Sequence, residues 1–200
     1  MDRNFGEELV YWYLRLNGFF IINNFVLHHD TASRTSDADL LAVRFPYVYE
    51  DVGGREEDWD ATLLSHFPKG SIIGLICEVK TGLNFNHENI FSEPNLYKAL
   101  GRFGFISDLN SYSRELSKSS KLEVENYQVS KVLFSRKKVS PRTDCLHIKL
   151  VHVKQFIKNR MTKYMDRKQA DRMFFPSSLL QYIIWEENLR ENRRREREER

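Results

Sequence analysis

The sequence predicts an α/β protein with a central mixed sheet flanked by helices, and three observations carry that expectation. Phe5, Leu9, Trp12, Tyr13 and Leu16 recur at three- and four-residue spacing, as on one face of a helix. The run SIIGLICEVKTG, Ser71 to Gly82, is apolar without clean alternation, as in a strand covered on both faces. From Lys154 onwards the apolar residues return to helical spacing.

Taken in order, residues 4–17 read as the first helix, with Asn17-Gly18 as its stop. Phe19 to Leu27 is rich in Phe, Ile and Val and reads as a strand. His28 to Ser36 is a polar loop whose two adjacent histidines project differently and suit a surface or substrate contact better than a metal. Asp39 to Phe45 is the second strand; if it starts early, Asp37, Asp39 and Leu41 share a face. Pro46 to Gly70 reads as an insertion holding six acids against Arg55 and Lys69, with a short helix within Trp59 to Phe67.

The run from Ser71 to Gly82, apolar from Ile72 to Cys77 and then Glu78-Val79-Lys80, is the third strand. Leu83 to Glu93 is a loop, Pro94 to Leu109 a second core helix, and Ser111 to Asn126 a polar, exposed stretch with room for one short helix. Val129 to Phe134 alternates as a strand, and Cys145 to Val153 reads as the last one. A helical extension, 154–200, follows the 1–153 domain: one helix ends near Pro176, and another runs into the charged tail RENRRREREER.

Composition narrows the function classes. Two hundred residues with 41% hydrophobic and 13% aromatic content suffice for one domain with a real core. The net charge of +3 names no partner. Residues 131 to 172, however, hold thirteen Lys or Arg against three acids, and this basic stretch set against the acidic insertion reads as charge segregation suited to a phosphate backbone. Cys77 and Cys145 have no metal-site spacing, which fits a reducing, cytoplasmic setting. No apolar stretch is long enough to span a membrane, and the N-terminus lacks the apolar core of a signal peptide.

The third strand ends in Glu78-Val79-Lys80, which puts Glu78 and Lys80 on one face and Val79 on the other. Upstream, Ser36-Asp37-Ala38-Asp39 opens the second strand, and Gly6-Glu7-Glu8-Leu9 opens the first helix. A helix with an early Glu, a strand carrying Asp and a strand ending Glu-x-Lys together resemble the PD-(D/E)xK nuclease superfamily. Its Holliday-junction-resolvase and Mrr-like branches are the nearest in pattern. The resemblance spans roughly residues 4 to 153, and the long stretch between the two acidic strands departs from it.

The resemblance implies a restriction-endonuclease-like αβββαβ core and a Mg²⁺-dependent nuclease, with Mn²⁺ as substitute, acting on double-stranded or branched DNA. It implies Asp39 and Glu78 as primary metal ligands, the carbonyl of Val79 as a third, Glu7 at a second metal, and Lys80 as the group that orients or deprotonates the attacking water. A Lys beside a cation is expected to have its pKa pushed down. Glu8 stays open beside Glu7, and Asp37 is an outer candidate. Lys98 and Arg102, four apart on the second core helix, and Arg136, Lys137 and Lys138 are the expected nucleic-acid contacts. Many relatives are dimers, and the apolar positions of the last helix offer a homodimer face. Two rival readings stand beside this one: a binding module on the same fold with a vestigial site, and an interaction protein in which the acidic–basic cluster is only an ion-pair network.

Overall fold

The structure is a computed structural model that describes residues 4–27, 36–85, 90–137, 144–164 and 177–198. Lys138 and the histidine loop at 28–29 lie outside the described residues, as does the side chain of Asp37. The architecture is α/β, with an open six-stranded mixed sheet flanked by helices.

Helix α1 (Phe5–Leu16) starts where the Asn4 side chain accepts from the Gly6 N–H and stops at Asn17. Strands β1 (Phe20–Leu27), β2 (Ser36–Arg44) and β3 (Ile72–Lys80) follow, each antiparallel to the one before. Between β2 and β3 the insertion forms a 3₁₀ turn, Glu56–Asp58, and the one-turn α2 (Ala61–Leu64). After β3 come α3 (Glu93–Phe103), α4 (Leu109–Lys118), β4 (Lys121–Val124), β5 (Tyr127–Ser135), β6 (Leu146–Lys149), α5 (Leu150–Lys163) and α6 (Ser178–Glu198).

The sheet order is β1-β2-β3-β5-β4, with β6 also on β5. β5 lies parallel to β3 along its whole length. Its other edge is shared: residues 127–130 pair antiparallel with β4, and 132–135 pair parallel with β6. With neighbours on both edges, β3 and β5 are nearly dry, as the unbroken apolar run of β3 requires.

One apolar layer joins α1, α5 and α6 to one face of the sheet through Leu9, Tyr13, Leu40, Cys77, Val132, Val153, Ile157 and Leu180. The other sits under α3 and α4 around Leu41, Ile76, Leu96, Leu100 and Leu116.

Three expectations are corrected. The segment Cys145–Val153 is not one strand: it breaks at Lys149, and Leu150, Val153, Ile157 and Met161 form the buried stripe of α5 at helical spacing. The expected division between 153 and 154 therefore falls inside a helix. The second core helix stops at Gly104 (φ +69°), a left-handed cap that glycine adopts without strain, so α3 and α4 are separate. Ser111–Asn126 is not an exposed polar stretch. It supplies most of α4 and all of β4, with Leu116 and Leu122 fully buried.

The charge segregation is reduced in part, because some cations of the basic stretch are paired within the fold, two of them with an acid of the insertion. Asp58, from the insertion, is fully buried and meets Arg160 at 3.1 Å and Lys163 at 2.6 Å, both on α5. Asp60 accepts from Tyr13 Oη and meets His152 Nε2, each at 2.6 Å. Lys158 pairs with Glu187 on α6 at 2.7 Å, and Lys154 with Glu186 at 3.8 Å. Lys131 is buried, its ammonium donating to the Ser117 carbonyl. Five of the thirteen cations counted between 131 and 172 are thus consumed within the fold.

Candidate acidic site at the end of β3

The β2–β3 ladder ends at the pair Leu40↔Cys77. Asp39 and Glu78 are the next residues on each strand, and cross-strand neighbours in an antiparallel pair share a face. The ladder is not continued by main-chain pairing; instead the Val79 N–H donates to Asp39 Oδ2 at 2.7 Å. An acid at position 39 thus satisfies a donor freed where the strands part, and that bond fixes its carboxylate beside Glu78. Val79 turns its side chain into the core layer on the opposite face, buried at 4% exposure.

Lys80 closes the cluster. Its Nζ lies 2.6 Å from Glu78 Oε2 and 3.7 Å from Asp39 Oδ2. Burial, and then the neighbouring Asp39, push the Glu78 carboxyl up to about 7; Lys80 works against both. The Lys80 ammonium shows the reverse balance. Burial lowers its pKa, but the two carboxylates outweigh burial and leave it above the ordinary lysine value. Two acids face Lys80 and outweigh the cost of its burial, whereas the expected depression is that of a lysine beside a bound cation.

The first turn of α1 reaches this end of β3. Gly6 lies so close that a Cβ there would overlap Thr81 Cγ2 and crowd Val79 Cγ1, so glycine lets the helix approach. Glu7 is half-buried, and its carboxyl is raised by burial and by Asp39, with Lys80 opposing. Glu8 is engaged elsewhere: its Oε1 accepts from Ser177 Oγ at 2.7 Å, at the start of α6. The structure thus separates the two neighbours that sequence leaves open.

Because β3 and β5 run parallel with Lys80 opposite Ser135, the residues after β5 emerge at the same end of the sheet. The Arg136 N–H donates to the Lys80 carbonyl at 3.1 Å, and Arg136 and Lys137 are exposed. Lys98 is half-buried on α3. Arg102, one turn on, lines a cleft of about 320 Å³ with Arg15, Phe20, Ile22 and Val43, beside the half of β2 that leads away from Asp39. Sequence reasoning missed Ser135, on the strand beside Lys80, and His147, one strand further on β6, which meet at 2.8 Å. What joins them is the register of β5 with β6, which the expected strand Cys145–Val153 contains but runs past.

Among the described residues, no three His, Cys, Asp or Glu side chains are grouped so as to hold a metal ion. The donor set still fits one hard cation in part. Asp39 and Glu78 converge from adjacent strands, and the Glu78 carboxyl is held up partly by the charge of Asp39. Oxygen ligands beyond these two would be the Val79 carbonyl and water. No protein-family model, curated protein or solved structure matches the chain.

Proposed function

We propose that this chain is a divalent-cation-dependent nuclease, with DNA as its substrate and a restriction-endonuclease-like core of the PD-(D/E)xK type. The observation that carries this reading is the convergence of Asp39, Glu78 and Lys80 at the point where β2 and β3 part. The order helix, three antiparallel strands, helix and parallel strand supports it.

Mg²⁺ or Mn²⁺, when bound, would acidify an attacking water and polarise the phosphoryl oxygens. Asp39 and Glu78 would hold the ion, with the Val79 carbonyl beside them. Lys80, released from sharing its ammonium between two carboxylates, would orient the water and offset phosphate charge. Glu7 lies within electrostatic reach of Asp39 and Lys80 and would serve a second ion or its water shell. Arg136 and Lys137 would meet the phosphate backbone at this end of the sheet.

The second reading is a binding or interaction module in which the same three residues form only an ion-pair cluster. It is favoured by one observation, the Lys80 ammonium already shared by both carboxylates. Incubating the protein with supercoiled, linear, single-stranded and branched DNA, each with Mg²⁺, Mn²⁺ or EDTA, separates the two. Cation-dependent cleavage of any form supports the nuclease, and no cleavage of all forms supports the module.

A further inference from the structure

At the other end of the same strands lies a second feature that the acidic site does not use. A groove of about 660 Å³ opens between the end of β2, the start of β3 and the insertion. It is some five residues along β2 from Asp39, roughly 17 Å at the rise of a strand. Its volume is that of a small-molecule site.

The groove contains an arginine without an acid. Arg44 is 8% exposed. Its Nε donates to the Asn17 carbonyl at 2.9 Å, and its guanidinium lies 5.1 Å from the centre of the Trp59 ring. Among the described residues no carboxylate pairs with it. Burial alone lowers its pKa, with no neighbouring acid raising it again. The other buried arginine, Arg160, has Asp58 at 3.1 Å. An ion taken out of water ordinarily has such a counter-charge. Arg44 is instead one of the residues that line the groove.

The rest of the lining has the same sign and adds flat apolar surface. Arg55 and Lys69 line it with one acid, Glu56, which is bonded to Lys69. Tyr47 is 92% exposed on its rim. A planar guanidinium matches phosphate oxygens in a fork, and an exposed tyrosine ring takes a flat partner by stacking.

We propose that this groove binds a small phosphate ester bearing a planar ring, of nucleoside-monophosphate size, with the phosphate on Arg44 and Arg55 and the ring against Tyr47. The site is independent of the nuclease reading, since it shares no residue with the acidic cluster.

Titration calorimetry of the full chain with adenosine monophosphate, adenosine and inorganic phosphate, without divalent cation, tests it. The monophosphate should bind measurably at millimolar concentration or below. Adenosine and phosphate should each bind at least about tenfold more weakly, the loss for one strong interaction. Tyr47→Ala, at an exposed position, should keep the melting temperature and weaken the monophosphate about tenfold. Arg44→Lys, which keeps the charge and loses the fork, should weaken it comparably. If Arg44→Lys does not fold, the Tyr47 variant and the three-ligand comparison still decide. No monophosphate binding by folded wild type overturns the proposal. So does affinity equal to that of phosphate alone, an unchanged Tyr47→Ala, or binding that is lost in Asp39→Asn.

Discussion

The Val79 N–H donates to Asp39 Oδ2 at 2.7 Å, so the residue between Glu78 and Lys80 anchors the acid opposite them. The bond crosses 40 residues of sequence at the place where two strands stop pairing. Asp39→Ala would leave the Val79 N–H without that partner and remove one proposed ligand at once. Asp39→Asn retains an acceptor oxygen. The Asn variant should therefore remain within about 1 kcal/mol of wild-type stability, and the Ala variant should lose about 1–3 kcal/mol. Denaturant unfolding of both checks this, and equal stabilities would mean the bond contributes little.

Lys80 separates chemistry from architecture. If it is a catalytic group, Lys80→Ala should lower cleavage about 10²–10⁴-fold with DNA affinity little changed. If it is half of a structural pair, the same change would leave Glu78 buried beside Asp39 with no cation. Stability would then fall by about 3–5 kcal/mol unless Glu78 takes up a proton. Melting temperature, DNA affinity and cleavage measured on the same variant distinguish the two.

Asp58 should give an acid-side signature. Burial raises its carboxyl, but hydrogen bonds from Lys163, Tyr164 and the Arg55 N–H, together with Arg160, outweigh that and hold it at about 2. Folding thus favours its charged form. The stability it contributes is present above the ordinary aspartate value of about 4 and is lost as pH falls towards 2. Asp58→Ala should cost about 3–5 kcal/mol at neutral pH by stranding Arg160. The deficit should shrink between about pH 4 and pH 2, as followed by denaturant unfolding across that range.

The exposed and internally paired cations should behave differently towards DNA. Arg136→Ala with Lys137→Ala should reduce the slope of log affinity against log salt by about one unit for each phosphate no longer neutralised. Lys154→Ala and Lys158→Ala, whose partners are Glu186 and Glu187, should leave the slope unchanged. Equal effects from the two pairs would place the backbone on a different surface.

What the sequence shows and what it hides follow from the range of each interaction. β3 is legible because a strand buried on both faces must be apolar throughout, and α1 because its stripe and cap are local. Asp39, Glu78 and Lys80 are legible as a set because each ends or begins an apolar run. The break at Lys149 is hidden because Leu146, Ile148 and Leu150 keep period two, and the shift to Val153 and Ile157 comes only after α5 has begun. β4 is hidden because four residues with two apolar side chains carry little periodicity before β5 pairs with them. The internal pairing of part of the basic stretch is hidden most deeply. Asp58 and Arg160 are 102 residues apart, and no composition count shows that they meet.

Cation-dependent cleavage at the Asp39–Glu78 site stands most directly on one comparison. Wild type and Asp39→Asn, matched in melting temperature, are incubated with supercoiled plasmid in Mg²⁺ and in EDTA, and the conversion to nicked or linear DNA is timed. Wild type should cleave in Mg²⁺ and not in EDTA, and the variant should be slower by about 10²-fold or more. Cleavage that persists at the wild-type rate in Asp39→Asn, or that proceeds equally in EDTA, would contradict a metal-dependent nuclease at this site.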